Sequence, residues 1–217
     1  MSHSVVGRCA KPFFQPRQLY PNHFGSGIVS SKVIMKNYNN GLATLWVLVT
    51  ILCISLGAQW EIRLPWSPIP LVLSDFFILL AAFSLPRKLV LISIAGYLFV
   101  GGIGAPVFAG GGRGWNHLFG TSGGYLWGFF LAGWWISYWM HNRRKTWKLE
   151  LWAWLGAIIC IFVPGIVWLS LQTELSLQQA FHRGCWVFAP GFLTKGAVAI
   201  LLSRWLRRAI VFKKKKK

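Results

Sequence analysis

The segment that decides the fold reads Gly101-Gly-Ile-Gly-Ala-Pro-Val-Phe-Ala-Gly-Gly-Gly-Arg113, and Gly120-Thr-Ser-Gly-Gly-Tyr125 follows it closely. This glycine-rich loop lies between two long apolar runs of the chain. Glycine at this density lets the backbone come very close to another group, because no Cβ stands in the way. We therefore expect the loop to lie at a membrane edge and to contact something with its backbone.

The composition places the chain among integral membrane proteins. Of its 217 residues 55% are apolar, and 14 are Trp and 16 are Phe. A soluble core of this size cannot bury so much apolar surface. Six apolar runs each approach the roughly 20 residues that cross a bilayer core. They cover residues 42–60, 69–85, 89–109, 123–140, 151–171 and 184–206. The sequence therefore predicts an all-α integral membrane protein with six transmembrane helices.

The distribution of Lys and Arg predicts the orientation. An even number of spans puts both termini on one side of the membrane, and 19 of the 23 Lys and Arg residues then lie on that side. The opposite side receives Arg63, Arg113 and Arg183, and Lys195 falls inside the last span. Because basic residues are enriched in cytoplasmic loops, we expect cytoplasmic N- and C-termini. The net charge of +19 then reflects topology and attraction to the lipid membrane, and a nucleic-acid partner is not expected.

The composition also divides the chain into three parts. Residues 1–40 contain no acidic residue and no apolar run, so we expect a basic, mobile cytoplasmic extension, or an upstream start that is not used if translation begins at Met35. Residues 41–208 form the six-helix membrane domain, and residues 209–217 form a basic cytoplasmic tail. The four cysteines show neither CxxC nor His spacing, so no metal site is expected.

Two further blocks flank the glycine-rich loop. Leu64-Pro-Trp-Ser-Pro-Ile-Pro-Leu71 precedes it, and Pro190-Gly-Phe-Leu-Thr-Lys195 follows it. In order and spacing, the three blocks resemble the BioY family of bacterial biotin transporters, the substrate-capturing S components of energy-coupling-factor importers. The resemblance covers roughly residues 42–208. It implies that residues 41–208 are a substrate-binding domain for high-affinity capture and uptake of biotin across the bacterial plasma membrane.

The resemblance also implies partners. The chain contains no nucleotide-binding loop of the GxxxxGK[ST] kind, so it cannot power uphill transport by hydrolysing ATP itself. Proteins of this family work with a transmembrane coupling subunit and two ATPase subunits. The first helix, Gly41-Leu-Ala-Thr-Leu-Trp-Val47, lacks the stripe of alanines that such subunits often present. Coupling through another surface, or self-association of a solitary protein, is therefore the alternative.

The predicted topology places three loops on the outer side, at residues 61–68, 106–122 and 172–189. In the middle loop, aromatic and polar side chains are interleaved with glycine. Exposed amides and a few donors suit a flat polar ring such as a ureido group, which fits biotin and also other small vitamins. A flexible turn is the other interpretation of the glycine run. The candidate substrate-binding residues are Asp75, Phe108, Gly111, Arg113, Trp115, Ser122, Gly123, Tyr125 and Lys195.

Lys195 is the charged residue that most needs explanation. If the last helix starts at Pro190, Lys195 lies about 7–8 Å inside its outer end. An ammonium costs roughly 2.5–3.5 kcal/mol at the centre of a membrane helix, so it needs a partner or a wet cavity. BioY-like proteins usually carry an aspartate three residues earlier, where this chain has Phe192. Asp75 lies at the same depth, so we expect it to face Lys195 across the pocket and both to bind ligand. Capping of the glycine-rich loop by Asp75 is the alternative.

The sequence argues against an enzyme. Catalysis needs facing acids and bases or metal ligands, but the five histidines are scattered over tails and loops and none lies within a predicted span. A channel or a membrane scaffold is a further alternative, in which the tryptophans between Trp134 and Trp154 would be only an interfacial aromatic belt. A channel would need a polar stripe through several helices, which the apolar runs lack. We therefore expect a binding and transport protein with biotin as its transported ligand and no bound cofactor.

Overall fold

The computed structural model of the protein describes residues 40–141, 143 and 145–215, with side chains from residue 41 to residue 207. The predicted extension at residues 1–40 lies outside these residues except for Asn40, and its mobility stays a prediction. The described part is mostly helical. The last helix continues to Lys215, through most of the predicted tail at residues 209–217.

The described part contains eight α-helices of 4 to 27 residues. The α-helices are α1 Asn40–Gln59, α2 Ser74–Ser84, α3 Arg87–Gly102, α4 Trp115–Leu118, α5 Gly123–Met140, α6 Trp147–Gln172, α7 Leu177–Phe181 and α8 Ala189–Lys215. Between α1 and α2, two short antiparallel strands of two residues each, β1 Glu61–Ile62 and β2 Leu71–Val72, form a β-hairpin. A 3-10 turn at Ala109–Gly111 lies in the glycine-rich loop, and a π-helical turn at His182–Trp186 follows α7.

The second and third predicted spans are shorter than expected. Helix α2 begins at Ser74 rather than at residue 69, because Pro68 and Pro70 disfavour helix before it and β2 occupies Leu71–Val72. Helix α3 ends at Gly102 rather than at residue 109, where the glycine-rich loop turns away. The predicted end of the third run, at residue 109, was therefore wrong by several residues, whereas a helical start after Pro70 is what the prolines of the second run indicate.

The last predicted span is divided. Leu177–Trp186 and Ala189–Arg207 meet at an angle of 43°. Pro190 lies in the first turn of α8, where its missing N–H would have no partner within the helix. The predicted continuous run over residues 184–206 is therefore a helix that begins at Ala189, preceded by the bent π-helical turn.

Two helices of the described part are long and apolar enough to cross a membrane by themselves. They are Gly41–Gln59 and Trp147–Gln172, and the bent pair makes a third if it is one span. Helix α2 has 11 residues and helix α3 has 16, so each needs its flanking segment to reach across a bilayer core. The count of six spans and the cytoplasmic termini thus stay predictions.

Helices α5 and α6 pack against each other at very close range. A Cβ added at Gly128 of α5 would lie 2.8 Å from Cα of Ile161 and 2.9 Å from the carbonyl oxygen of Cys160. One turn earlier, a Cβ at Gly124 would lie 2.5 Å from the carbonyl oxygen of Pro164. Small residues permit this approach of two backbones, which gains dispersion energy in a membrane.

A buried ion cluster ties three helices together at the end of the bundle where α6 begins. Glu150 is 1% exposed and binds the guanidinium groups of Arg204 and Arg207 of α8. Arg207 also donates to the carbonyl oxygen of Phe83 near the end of α2, at 2.6 Å. A buried carboxylate needs such partners, because an unpaired charge there would be strongly destabilising. The sequence pattern did not indicate this cluster.

Candidate substrate-binding site

A cavity lies at the opposite end of the bundle, where the glycine-rich loop meets the β-hairpin. It encloses about 690 Å³ of empty volume, including space that is open to solvent at its mouth. Its walls are mostly apolar and come from α1, α2, α3, α5, α6, α8, the glycine-rich loop and the hairpin. The aromatic side chains of the lining are Tyr97, Tyr125, Phe129, Phe162, Phe188 and Phe192, and the other polar ones are Ser74, Asp75, His117, Ser122 and Lys195.

Lys195 and Asp75 form an ion pair in the wall of this cavity. The ammonium Nζ of Lys195 lies 3.0 Å from Oδ1 and 3.1 Å from Oδ2 of Asp75. It also donates to the carbonyl oxygen of Val72. The side chains are 15% and 10% exposed. The predicted approach of Asp75 to Lys195 is confirmed, and the alternative of capping the glycine-rich loop is wrong, since the N–H of Phe76 is the backbone donor to Asp75.

The local structure explains why Asp75 takes the place of the missing acid. Phe192 lies three residues before Lys195 on α8, is 4% exposed, and packs edge-to-face on Phe162 with ring centroids 5.5 Å apart. It therefore occupies the position on α8 where the family resemblance led us to expect an aspartate. Because α2 begins at Ser74, Asp75 lies in its first turn, where the helix dipole favours a carboxylate.

The glycine-rich loop has a defined conformation held against the hairpin. The amide of Gln59 donates to the carbonyl oxygens of Pro106 and Phe108, at 3.2 and 3.1 Å. At Gly110, φ is +59° and an added Cβ would lie 2.6 Å from Nη2 of Arg63 and 2.7 Å from Oε1 of Glu61. The Glu61–Arg63 ion pair, 2.6 Å long, thus rests directly on the loop backbone. The interpretation of a merely flexible turn does not fit these contacts.

Four of the nine predicted site residues line the cavity. They are Asp75, Ser122, Tyr125 and Lys195. The ring of Tyr125 faces the cavity while its hydroxyl donates to the carbonyl oxygen of Gly184 at 2.9 Å, so this hydroxyl is already engaged. The ligand contacts of these four residues stay predictions.

The other five predicted residues lie outside the cavity lining. Phe108 is fully buried beneath the loop and Gly111 stands in the turn with φ +74°. Arg113 is exposed and Trp115 is 55% exposed, both on the outer surface. Gly123 packs against the chain, where an added Cβ would lie 3.1 Å from Nε1 of Trp168. Their positions suit shaping of the loop more than direct contact with a solute.

Three polar residues of the lining were not among the predicted site residues. Tyr97 is 1% exposed in the middle of α3, and its ring stands edge-to-face on Phe108 at 5.4 Å. The imidazole of His117 also stacks on Phe108, with ring centroids 5.2 Å apart. Ser74 precedes Asp75. A histidine inside the glycine-rich loop was a usable signal for His117, whereas a tyrosine in an apolar run gives none.

His117 is the titratable group of the loop. Burial lowers its pKa, and the nearby carboxylate of Glu61 opposes this shift. The neutral imidazole is therefore favoured at neutral pH, and it can both donate and accept one hydrogen bond.

The fold and the site define a helical membrane protein with a pocket for one small solute. Residues 33–212 match the BioY family, so the chain belongs to this family. It is 32% identical to the probable biotin transporter BioY of Pyrococcus horikoshii over 177 residues, which cover 80% of this chain and 98% of that protein. The biotin transporter BioY of Lactococcus lactis is 32% identical over 74% of this chain and 87% of its own length.

A solved structure has the same fold. The crystal structure of the S-component for biotin from an ECF-type ABC transporter matches with a TM-score of 0.71 and 24% identity, over 79% of this chain and 95% of that chain. The family and these relatives are transporters and not enzymes, as the sequence predicts.

Proposed function

We propose that the protein captures biotin outside the cell and carries it into the membrane transport cycle, as the substrate-binding component of an energy-coupling-factor transporter. The observation that carries this proposal is the cavity itself, which combines an aromatic wall with one buried ion pair. Relatives that match over most of the chain are named biotin transporters.

The ion pair would recognise a neutral N–H group of the solute. The ammonium Nζ of Lys195 lies within hydrogen-bond distance of Asp75 Oδ1, Asp75 Oδ2 and the Val72 carbonyl oxygen. Asp75 Oδ1 also accepts from the N–H of Phe76 at 2.8 Å. Oδ2 accepts from Lys195, and a carboxylate oxygen can accept a second hydrogen bond, here from a ligand. A ureido N–H of biotin has the required chemistry.

The remaining lining suits the rest of such a ligand. Ser74, Ser122 and His117 offer short-range hydrogen bonds to polar atoms, and the rings of Phe129 and Phe162 cover apolar surface. Because these groups are preformed on helices and on a held loop, little ordering is required when a solute binds.

A related vitamin is the second candidate substrate. Phe192 replaces a family acid with an apolar ring at the cavity wall, so one polar contact of the usual site is lost. A solute with a flat polar ring and one fewer hydrogen-bond group would fit this lining as well as biotin does.

For the membrane arrangement we propose six crossings in the bacterial plasma membrane, with both termini cytoplasmic. The segments are α1, the hairpin with α2, α3, α5, α6, and the bent α7–α8 unit. The distribution of basic residues supports this orientation, because most of them then lie on the cytoplasmic side. The glycine-rich loop then faces outward. A transmembrane coupling subunit with two ATPase subunits would supply energy, because the sequence holds no nucleotide-binding loop of its own.

Calorimetry on detergent-purified protein tests the substrate. Biotin should bind at one site per chain, and unrelated vitamins such as thiamine and riboflavin should not compete. If another vitamin bound and biotin did not, that vitamin would be the proposed substrate and the class of transporter would be unchanged. Absence of binding by every member of the panel would contradict the proposal.

A further inference from the structure

We propose that the end of the bundle remote from the cavity holds a binding site for the head group of an anionic phospholipid. The site, called here the basic-aromatic cluster, consists of Arg87 at the start of α3, Trp134, Tyr138 and Trp139 at the end of α5, and Arg143 just after it. The inference rests on the membrane orientation proposed above and not on the identity of the transported solute.

Two guanidinium groups lie on a continuous aromatic platform. The guanidinium carbon of Arg87 is 5.6 Å from the ring centroid of Trp134 and 5.5 Å from that of Tyr138. The guanidinium carbon of Arg143 is 4.5 Å from the ring of Trp139. Tyr138 connects the two halves, since its ring stacks on Trp134 at 5.6 Å and meets Trp139 edge-to-face at 5.9 Å. Cation–π contacts hold both arginines in place.

No acidic residue is available to neutralise these arginines. The whole chain has four acids, and three are already paired: Glu61 with Arg63, Asp75 with Lys195, and Glu150 with both Arg204 and Arg207. The fourth, Glu174, follows the far end of the 26-residue helix α6, about 39 Å from its start. The cluster therefore carries uncompensated positive charge, to which the exposed Lys88 adds.

An exposed apolar stripe leads from the cluster toward the middle of α5. Trp127, Leu131, Trp134 and Tyr138 recur at helical spacing on one face and are 40%, 45%, 39% and 46% exposed. Such a stripe below a pair of cations matches a phospholipid, whose acyl chain lies on the apolar face while its phosphate meets the guanidinium groups. A soluble phosphate would use the cations alone, so the stripe favours the lipid.

Native mass spectrometry of the full chain tests the site. Delipidated protein in detergent micelles is titrated with phosphatidylglycerol and, separately, with phosphatidylcholine of the same acyl chains. The wild type should retain phosphatidylglycerol preferentially. Each arginine removed should weaken phosphatidylglycerol binding by about fivefold, the value of one basic residue near an anionic head group. Arg87→Gln with Arg143→Gln should therefore bring the two lipids near parity.

Three comparisons make the test decisive. Arg183→Gln removes one exposed arginine at the opposite end and should leave lipid preference unchanged. Arg87→Lys with Arg143→Lys keeps both positive charges and should retain most of the preference for phosphatidylglycerol, which separates loss of charge from misfolding. Biotin binding should be unchanged in every variant, which shows that the cavity is intact. The proposal would be overturned if the Gln double variant retained phosphatidylglycerol as well as the wild type does. It would also be overturned if inorganic phosphate at millimolar concentration displaced phosphatidylglycerol from the wild type.

Discussion

The ammonium of Lys195 lies 3.0 Å from a carboxylate oxygen of Asp75, although the two residues are 120 positions apart in the chain. This pair joins α8 to the first turn of α2 across the wall of the cavity. The family resemblance led us to expect the acid on α8 itself, whereas the ammonium of Lys195 is paired with an acid on a different helix. The pair also makes the substrate site dependent on how α2 packs against α8.

The first prediction concerns Asp75→Asn. The substitution leaves the ammonium of Lys195 with a neutral partner and removes the charged acceptor for a ligand N–H. A hydrogen bond to a charged group contributes about 1.5–3 kcal/mol, so we expect biotin affinity to fall by roughly 10- to 100-fold, measured by calorimetry. Glu174→Gln, at an exposed acid outside the cavity, is the matched control. An unchanged Kd for Asp75→Asn would remove this residue from the site.

The stability of the same variant separates folding from binding. Removing one partner of a buried ion pair leaves the other charge uncompensated and should lower Tm. Adding Lys195→Met to Asp75→Asn removes that charge and should recover most of the Tm, while biotin binding stays weak. Recovery of binding in the double variant would show that neither charge contacts the ligand.

The second prediction moves the acid back to α8. Phe192→Asp alone puts two carboxylates near one ammonium, so we expect a lower Tm and weaker biotin binding. Phe192→Asp combined with Asp75→Ser restores one acid for one lysine and should bind better than Phe192→Asp alone. Competition between biotin and close analogues in both variants reports whether the position of the acid sets selectivity. A double variant weaker than both single variants would argue that the two positions are not interchangeable.

The third prediction concerns the contact between the hairpin and the glycine-rich loop. Gly110→Ala places a methyl group 2.6 Å from Nη2 of Arg63 at a backbone φ of +59°. Left-handed backbone costs roughly 1–2 kcal/mol for residues other than glycine, so the loop must shift and biotin affinity should fall by about 5- to 30-fold. Gly41→Ala, where an added Cβ meets nothing within 4 Å, should bind as the wild type does. Equal affinity of the two variants would show that the loop position does not matter for capture.

The fourth prediction is a pH dependence from His117. Burial lowers the pKa of this imidazole in the folded protein, so the unfolded chain binds more protons between the folded pKa and the ordinary value of about 6.5. The stabilising contribution is thus present above about pH 6.5 and is lost as the pH falls below it. We expect Tm to drop between pH 7 and 5.5 in the wild type and to change less in His117→Gln. His182→Gln, at an exposed histidine, should follow the wild type, and identical profiles for all three proteins would contradict the assignment.

Much of this architecture follows from the sequence, for identifiable reasons. Residues 42–60 are a strong helix prediction because the run is apolar and free of proline, and α1 covers them almost completely. Asp75 and Lys195 could be paired because a chain with four acids leaves few candidates for a lysine in an apolar segment. The start of α2 was less predictable, since it depends on where the second strand of the hairpin, β2, ends.

Contacts between distant helices were not predictable. Nothing in the segment around Glu150 indicates that it meets Arg204 and Arg207, more than 50 positions away. Tyr97 reaches the cavity only because α3 places it against Phe108. Trp115 and Arg113 looked like binding residues because they stand in the glycine-rich loop, but loop membership does not fix which way a side chain points, and both lie on the outer surface.

The glycine contacts between α5 and α6 have a mechanical consequence. With no Cβ at Gly124 or Gly128, the two backbones touch along successive turns, so neither helix can slide or rotate without driving main-chain atoms into each other. The two helices therefore behave as one rigid pair that forms a wall of the cavity. We expect any conformational change that accompanies solute uptake to come from movement of the other helices relative to this pair.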